Sequence, residues 1–348
     1  MSGDLISPIA PVGPRIPVGL AAYGFGYLCG FAGAGTGRAC PRPYTAHDLM
    51  DLAAARGLGG VEFPLASLPG GLDADTLRRL RAHAEELGLF IVLDGGVVDA
   101  AELRELLDAA VALGAPTVRA TISHILCGDR RAVRDTWADH LARTARELRA
   151  VSGLAEECGV SIGLENHQDV TSEELVALVD AVDSPAVGVT LDTANALAVG
   201  EDPLRFARRV LPHVKAAHLK DYYVYKTTPG YRLARCALGD GVVDLPALLA
   251  LLAREAPAAR ISIELGALEA RHVRLLEDDY WRGYPPRRVE DVLPALRLRE
   301  EGARPPGEDW RTPWERGEDG DSLATFERDQ FADSVRYLRE IADNRHSR

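Results

Sequence analysis

Short apolar runs rich in Val, Ile and Leu alternate along this chain with longer stretches whose apolar residues recur every three or four positions. The runs at 17–23, 59–63, 90–95, 117–123, 160–166, 187–192, 214–221 and 261–265 have the length and content of buried strands. Between them, segments such as TAHDLMDLAAARGL and AAELRELLDAAVALGA carry the stripe of an amphipathic helix. Thr45, Asp73 and Thr171 stand where helix N-caps are expected. Parallel neighbours in a sheet need crossover connections, so eight strand–helix units predict a closed (β/α)8 barrel, a single α/β domain.

The rival is a doubly wound sheet with a nucleotide loop after its first strand. The segment GFGYLCGFAGAGTG does follow that strand, with Gly24 and Gly26 in place. The third glycine of the dinucleotide spacing falls on Cys29, with Gly30 one position late, so an ordinary barrel loop fits better.

Three parts lie outside the repeat. Residues 1–16 form a Pro-rich N-terminal arm, and residues 222–237 lengthen the connection after strand seven. Residues 266–325, charged and rich in Pro and Gly, form a long insertion after strand eight. Helical spacing then resumes, with Phe331, Val335, Leu338, Ile341 and Ala342 on one face, as the last barrel helix requires. The expected organisation is an arm, 1–16, and one barrel domain, 17–345, that contains the insertion.

Composition narrows the function classes. Lys and Arg number 40 against 52 Asp and Glu, a net charge of -12, whereas nucleic-acid binding calls for a basic footprint. Cys29, Cys40, Cys127, Cys158 and Cys236 are odd in number and scattered, giving neither a disulfide framework nor a CxxC metal motif. No apolar run is long enough to span a membrane. The N-terminal segment lacks the basic start and apolar middle of a signal peptide, so a reduced, cytoplasmic setting is expected.

Active sites of such barrels gather at the C-terminal ends of the strands. Strand five ends in Glu165-Asn166-His167, strand six in Asp192, strand seven in His218-Leu219-Lys220-Asp221 and strand eight in Glu264. Any one of these could simply cap a helix or hold a loop. Together, Glu165, Asp192 and Glu264 crowd three negative charges into one mouth, which is costly without a cation. Three carboxylates and one imidazole suit Mn2+, Mg2+, Co2+ or Zn2+, and the absence of thiolates argues against a purely structural zinc site.

The motifs ENH, LDTAN, HLKD, LGDGVVD and IELGALEARH resemble the xylose isomerase-like TIM barrel family of sugar phosphate isomerases and epimerases, over about 17–265 and 326–343. The resemblance implies one divalent metal, Mn2+ first among the candidates, held by Glu165, Asp192, His218 and Glu264. It also implies that Glu165 and Glu264 exchange protons with substrate carbon, as in the ketose epimerases of the family. The chemistry is coherent: a metal polarises a ketone, a carboxylate takes the adjacent proton, and an enediolate results.

The ketose 3-epimerase pattern is incomplete. Its histidine after the strand-six aspartate is Asn195 here, its arginine after the strand-seven histidine is Val224, and its second glutamate is Thr171. A ketohexose substrate is therefore not carried over. Other candidates fill the mouth: His167 as a catalytic base, and His124, Asn195, Lys220, Asp221 and Arg235 as substrate contacts. Arg232 is the alternative to Arg235 in the inserted loop, and Tyr280, Trp281 and Tyr284 either roof the pocket or pack the insertion onto the barrel.

The expected activity is metal-dependent isomerisation or epimerisation of a keto-sugar or cyclitol, without nucleic-acid or membrane partners. The alternative is a lyase with the same first step, of the inosose dehydratase or 3-keto- or C-glycoside deglycosidase type. A homo-oligomer is expected, or a complex with a small subunit in the deglycosidase case. An AP endonuclease-like activity is a distant third, disfavoured by the acidic balance.

Overall fold

The computed structural model describes residues 17–64, 73–133 and 136–346. The arm expected at 1–16 lies outside them. Seven strands enter the barrel in chain order: β1 (Val18–Ala21), β2 (Gly60–Phe63), β3 (Phe90–Val97), β4 (Thr117–Thr121), β5 (Ser161–Glu165), β6 (Val187–Asp192) and β7 (Val214–Leu219). An antiparallel hairpin, β8 (Tyr222–Thr227) and β9 (Gly230–Arg235), intervenes before the eighth barrel strand, β10 (Arg260–Ile263). All neighbours in the barrel are parallel, and β10 closes it by pairing with both β7 and β1. The chain is thus a single-domain (β/α)8 barrel.

The surrounding helices are α1 (Ala46–Ala55), α2 (Ala74–Leu87), α3 (Ala100–Leu113), α4 (Trp137–Cys158), α5 (Ser172–Val182), α6 (Pro203–Val210) and α7 (Leu245–Glu255). Their starts follow from side-chain acceptors for otherwise orphaned N–H groups. Thr45 and Thr171 form reciprocal capping boxes with Asp48 and Glu174, and Asp73 accepts from Asp75 and Thr76. Left-handed Gly88, Gly114 and Gly159 terminate α2, α3 and α4. Leu49, Leu80, Leu107, Leu148 and Leu175 lie on the buried helix faces that cover the strands.

The glycine-rich segment after β1 forms one 3-10 turn, Ala22–Phe25, followed by turns up to the Thr45 cap, so no helix opens from it to receive a phosphate. Residues 266–325 contain a short strand, β11 (Arg271–Val273), and helix α8 (Val289–Glu301). The terminal helix α9 spans Gly320–His346, so six residues assigned to the insertion by sequence are already helical. Phe331, Val335, Leu338 and Ala342 bury the expected face of α9, while Ile341 is half-buried. On the same helix Glu327 accepts from the Tyr27 and Leu28 amides, each at 2.9 Å, and Gln330 bridges the Gly266 amide and the Arg235 carbonyl. Those bonds fix the loop after β1 and the two segments that wall the barrel mouth.

β11 adds to β9, making a three-stranded antiparallel sheet in the order β11-β9-β8. The lengthened connection after β7 is therefore a folded sheet beside the mouth. No helix among the described residues is long and apolar enough to cross a membrane. All five cysteines are free.

Candidate active site

Glu165 and Asp192 are the last residues of β5 and β6, His218 is the penultimate residue of β7, and Glu264 follows β10 directly. Asp192 is in register with His218, and the Glu264 amide donates to the Leu219 carbonyl at 3.0 Å, which carries the β10 edge one residue further. The Asn166 amide clamps two strand ends together by donating to the Asp192 carbonyl and accepting from its N–H. One ligand atom from each of Glu165, Asp192, His218 and Glu264 lies within 4.8 Å of the others, and all four residues are buried.

Hydrogen bonding leaves several of these atoms free. Both carboxylate oxygens of Glu165, Oε2 of Glu264 and Nδ1 of His218 are buried and have no hydrogen-bond partner. His218 Nδ1 lies 2.8 Å from Glu264 Oε2 and 3.8 Å from Glu165 Oε1, close in space but unaligned for hydrogen bonding. In place of hydrogen bonds they have ion contacts: Arg119 lies 3.1 Å from Glu165, and Glu62 and Glu264 outweigh burial to raise the His218 pKa well above its usual value. The convergence of these atoms fits a divalent cation, and Asp192 completes the set.

Of the groups around this quartet, Glu62, Asp94 and Arg119 were not anticipated from sequence, whereas Lys220 was, either as a substrate contact or as a partner of a metal-site carboxylate. Glu62 on β2 accepts from His218 Nε2 at 2.6 Å, which fixes the ring with Nδ1 turned toward the carboxylates. Arg119 on β4 donates to Asp94 on β3 at 2.9 Å and lies 3.1 Å from Glu165 and 3.9 Å from Glu62. Lys220 donates to Asp192 Oδ2 and, at 2.8 Å, to Glu264 Oε1. The sequence signal for Glu62 and Arg119 was an ionisable residue inside an otherwise apolar strand run, GGVEF or TVRAT.

Burial raises carboxylate pKa values and nearby cations oppose it. At Glu165 burial is outweighed by Arg119, His167 and His218, and its pKa falls to about 2. Glu264, also buried, is held well below the usual range by Lys220 and His218. Asp94 goes the other way: burial and the adjacent Glu62 charge outweigh Arg119, so its carboxyl holds its proton far above the ordinary range.

A cavity of about 290 Å3 opens onto the cluster, lined by Tyr23, His167, Lys220, Arg235, Glu264 and Arg271 among others. His167 reaches it from the loop after β5, half-buried, with Nδ1 unpartnered. Burial, aided by Arg119 and Lys220, lowers the His167 pKa to about 4, leaving a neutral imidazole near pH 7. His124 lines the same cavity but is exposed. A larger apolar groove of about 550 Å3, formed by Leu275, Leu276, Trp281, Val289, Val292 and Leu296, is lined by none of the cluster residues.

Two of the expected substrate contacts do not line the cavity. Asn195 is buried, its Oδ1 accepting from Gln168 Nε2 and the Tyr222 hydroxyl. Asp221 turns away from the mouth, and its carboxylate accepts from the amides of Tyr222, Gly239, Gly241 and Val243 at 2.9–3.1 Å. It organises the turn before α7. Asp221→Ala is expected to cost about 3 kcal/mol, because four backbone donors, those of Tyr222 and Val243 in buried bonds, lose one charged acceptor. Urea unfolding measures this; a large loss of kcat/KM at unchanged stability would restore the substrate-contact reading.

The alternatives in the insertion also separate. Arg232 points away from the mouth, pairing with Glu315 and stacking on Trp310 at 4.0 Å. Tyr280 is fully buried with its hydroxyl on the Ala198 carbonyl, Tyr284 donates to Gly128, and Trp281 to Leu275. These aromatics pack the insertion onto the barrel and do not roof the cavity.

The fold and its metal-competent mouth define a class, barrels that place carboxylates and an imidazole at adjacent strand ends. Residues 50–279 match the xylose isomerase-like TIM barrel family, and the chain belongs to that family. Among its relatives, the uncharacterised protein YihM of Escherichia coli K12 is 28% identical over 58% of this chain and 60% of that protein. The 3-oxo-isoapionate decarboxylase of Pectobacterium atrosepticum is 27% identical over 60% of this chain and 73% of that protein. The D-psicose 3-epimerase of Clostridium cellulolyticum H10, solved with D-tagatose, shares the fold with a TM-score of 0.61 at 16% identity, covering 93% of this chain and 99% of that one.

Proposed function

We propose that this protein is a divalent-metal-dependent isomerase or epimerase that removes a proton next to the ketone of a small keto-sugar or cyclitol. The observation that carries the reading is the convergence of ligand atoms of Glu165, Asp192, His218 and Glu264 within 4.8 Å of one another, beside a cavity of substrate size. A bound divalent ion, with Mn2+ the first candidate, would polarise the substrate carbonyl and so acidify the adjacent C–H. Glu165, Asp192, His218 and Glu264 would hold it, and Glu62 would keep the His218 ring in its ligating orientation.

The chain's own groups divide the remaining work. Glu165 and Glu264, on β5 and beyond β10, approach the mouth from different sides, so one takes a proton and the other returns it across the substrate. Neutral His167 stands at the cavity wall as a further base, and Lys220 holds Glu264 ionised. Removing the Glu62 charge by Glu62→Gln is expected to weaken Mn2+ binding by about 10-fold or more. Calorimetric titration measures it; unchanged affinity would show that Glu62 does not support the ligand.

A second reading is favoured by the positions that differ from the ketose 3-epimerase pattern: elimination of a β-substituent after the same deprotonation, or decarboxylation, in which CO2 leaves in place of the proton and the enolate so formed is then protonated. Thr171 caps α5, Val224 is buried in β8 and Asn195 is engaged by Gln168, so none of them reads a sugar in the cavity. The relationship to a 3-oxo-isoapionate decarboxylase points the same way. NMR in D2O with Mn2+ and a panel of ketoses, inososes, keto-acids and 3-keto-glycosides separates the two. Solvent deuterium with an intact carbon skeleton and substituents supports the first reading; release of water, CO2 or an aglycone supports the second. Turnover without α-hydrogen exchange or bond loss at that carbon would sink both. The proposal also takes residues 17–345 as one catalytic unit with 266–325 inserted, assembled as a homo-oligomer, and the solution mass decides the last point.

A further inference from the structure

Two arginines at the cavity are not accounted for by this mechanism. Arg235 ends β9 and Arg271 begins β11, and because Arg271 pairs with Leu233, two residues before Arg235, both lie on one face of the small sheet. Arg232 and His272 occupy the opposite face, where Arg232 pairs with Glu315. The other cationic residues of the region also have carboxylate partners. In the same cavity Arg119 pairs with Glu165, and Lys220 with Asp192 and Glu264, while Arg274 nearby pairs with Asp129 and Glu277.

Arg235 and Arg271 form no ion pair with a carboxylate among the described residues. Arg235 donates only to two neutral carbonyls, Gly266 at 3.4 Å and Glu269 at 3.5 Å. Nε of Arg271 is buried and has no partner. Burial, with the like charge of Arg271, lowers the basicity of Arg235. Gly266, at φ 125°, gives the turn between them a backbone that other residues rarely adopt, and a Cβ there would sit 3.5 Å from Arg235 Nε. Gln330 of α9 fixes both sides of that turn, to the Gly266 amide and the Arg235 carbonyl.

We propose that Arg235 and Arg271 receive an oxyanion group of the substrate, a carboxylate or a phosphate, so that the enzyme acts on an acidic keto-sugar derivative. Guanidinium forks suit such groups, and two unpaired forks lining the cavity that Glu264 also lines would hold the anion in the same cavity as the metal-competent cluster. The assignment rests on the enolisation reading for the reacting end of the substrate but not for the binding of its anionic end.

Calorimetry with D-fructose, D-fructose 6-phosphate and 2-keto-D-gluconate, with and without Mn2+, tests it on the intact protein. At least one acidic probe is expected to bind about 10-fold or more tighter than D-fructose, and the tighter of the two identifies phosphate or carboxylate. Raising the salt concentration should shrink that preference, and the Arg235→Gln/Arg271→Gln double variant, checked for an unchanged melting temperature, should erase it. Equal binding of all three probes, no binding of any, or a preference that survives the double substitution overturns the assignment. The salt series on the unmodified protein decides the matter if the double variant misfolds. Parallel D2O exchange keeps the two readings apart. Anion preference without α-hydrogen exchange would fail enolisation alone, and exchange on D-fructose with no anion preference would fail the arginine assignment alone.

Discussion

Glu264→Gln is expected to lower kcat/KM by about 1,000-fold or more, since it removes both a proton-transfer group and one metal-competent oxygen donor's charge. The substitution keeps the side chain's shape and an acceptor for Lys220, which donates to Glu264 Oε1 at 2.8 Å. The barrel should therefore fold. In the metal-free protein the change takes a carboxylate from Lys220 and His218, so the melting temperature should fall, and the Mn2+ response of each protein is read against its own metal-free value. The parent should gain stability as Mn2+ is added, because a ligand that binds only the folded state stabilises it by mass action. In the variant that gain should be much smaller. Turnover assays and a thermal shift series against Mn2+ measure the two effects. Undiminished turnover would remove Glu264 from the mechanism, and an unchanged Mn2+ response would remove it from the metal site.

The legible part of this site was the part written at strand ends. Glu165, Asp192, His218 and Glu264 each close an apolar run, at intervals that match one strand–helix unit or one unit plus an insertion, and a parallel barrel brings such ends together whatever the side-chain details. Glu62, Asp94 and Arg119 were not legible because they sit within strands. An apolar run reads as core, and only closure of the barrel shows that a few inward positions form an ionic layer beneath the mouth. Asp221 shows the converse failure. Beside Lys220 it looks like a substrate contact, yet its partners are backbone amides as far along the chain as Val243, a tertiary relation that no local pattern carries.

The small sheet was readable in part. Tyr222 and Val224 are buried on one face of β8 while Tyr223 and Tyr225 are less so on the other, the alternation of a half-buried strand, and Thr228-Pro229-Gly230 supplies a turn. β11 is three residues long, too short for any periodicity, so Arg271 could be placed beside Arg235 only by the fold.

Arg119→Met should be the most destabilising substitution in the barrel interior, costing about 3–5 kcal/mol, because removing one partner of a buried ionic cluster leaves uncompensated charge. Arg119 is 5% exposed, and Asp94, Glu165 and Glu62 all face it. The pH dependence should also change sign. In the parent the Glu165 pKa, about 2, lies below the unfolded carboxylate value, so its contribution is complete above that value and is lost as pH falls toward 2. Without Arg119, burial is opposed by fewer cations and the carboxylates around position 119 shift upward in the folded state. The folded variant then binds more protons than the unfolded chain, and its stability should rise as pH is lowered from neutrality toward the unfolded carboxylate range. Arg119→Lys should recover part of the loss, since an ammonium keeps the charge but not the fork that spans several carboxylates. Urea unfolding of metal-stripped protein across that pH range measures slope and magnitude together. Parent-like stability with a parent-like slope in Arg119→Met would mean that the protonated Asp94 carboxyl and the Glu62–His218 pair suffice to neutralise the layer.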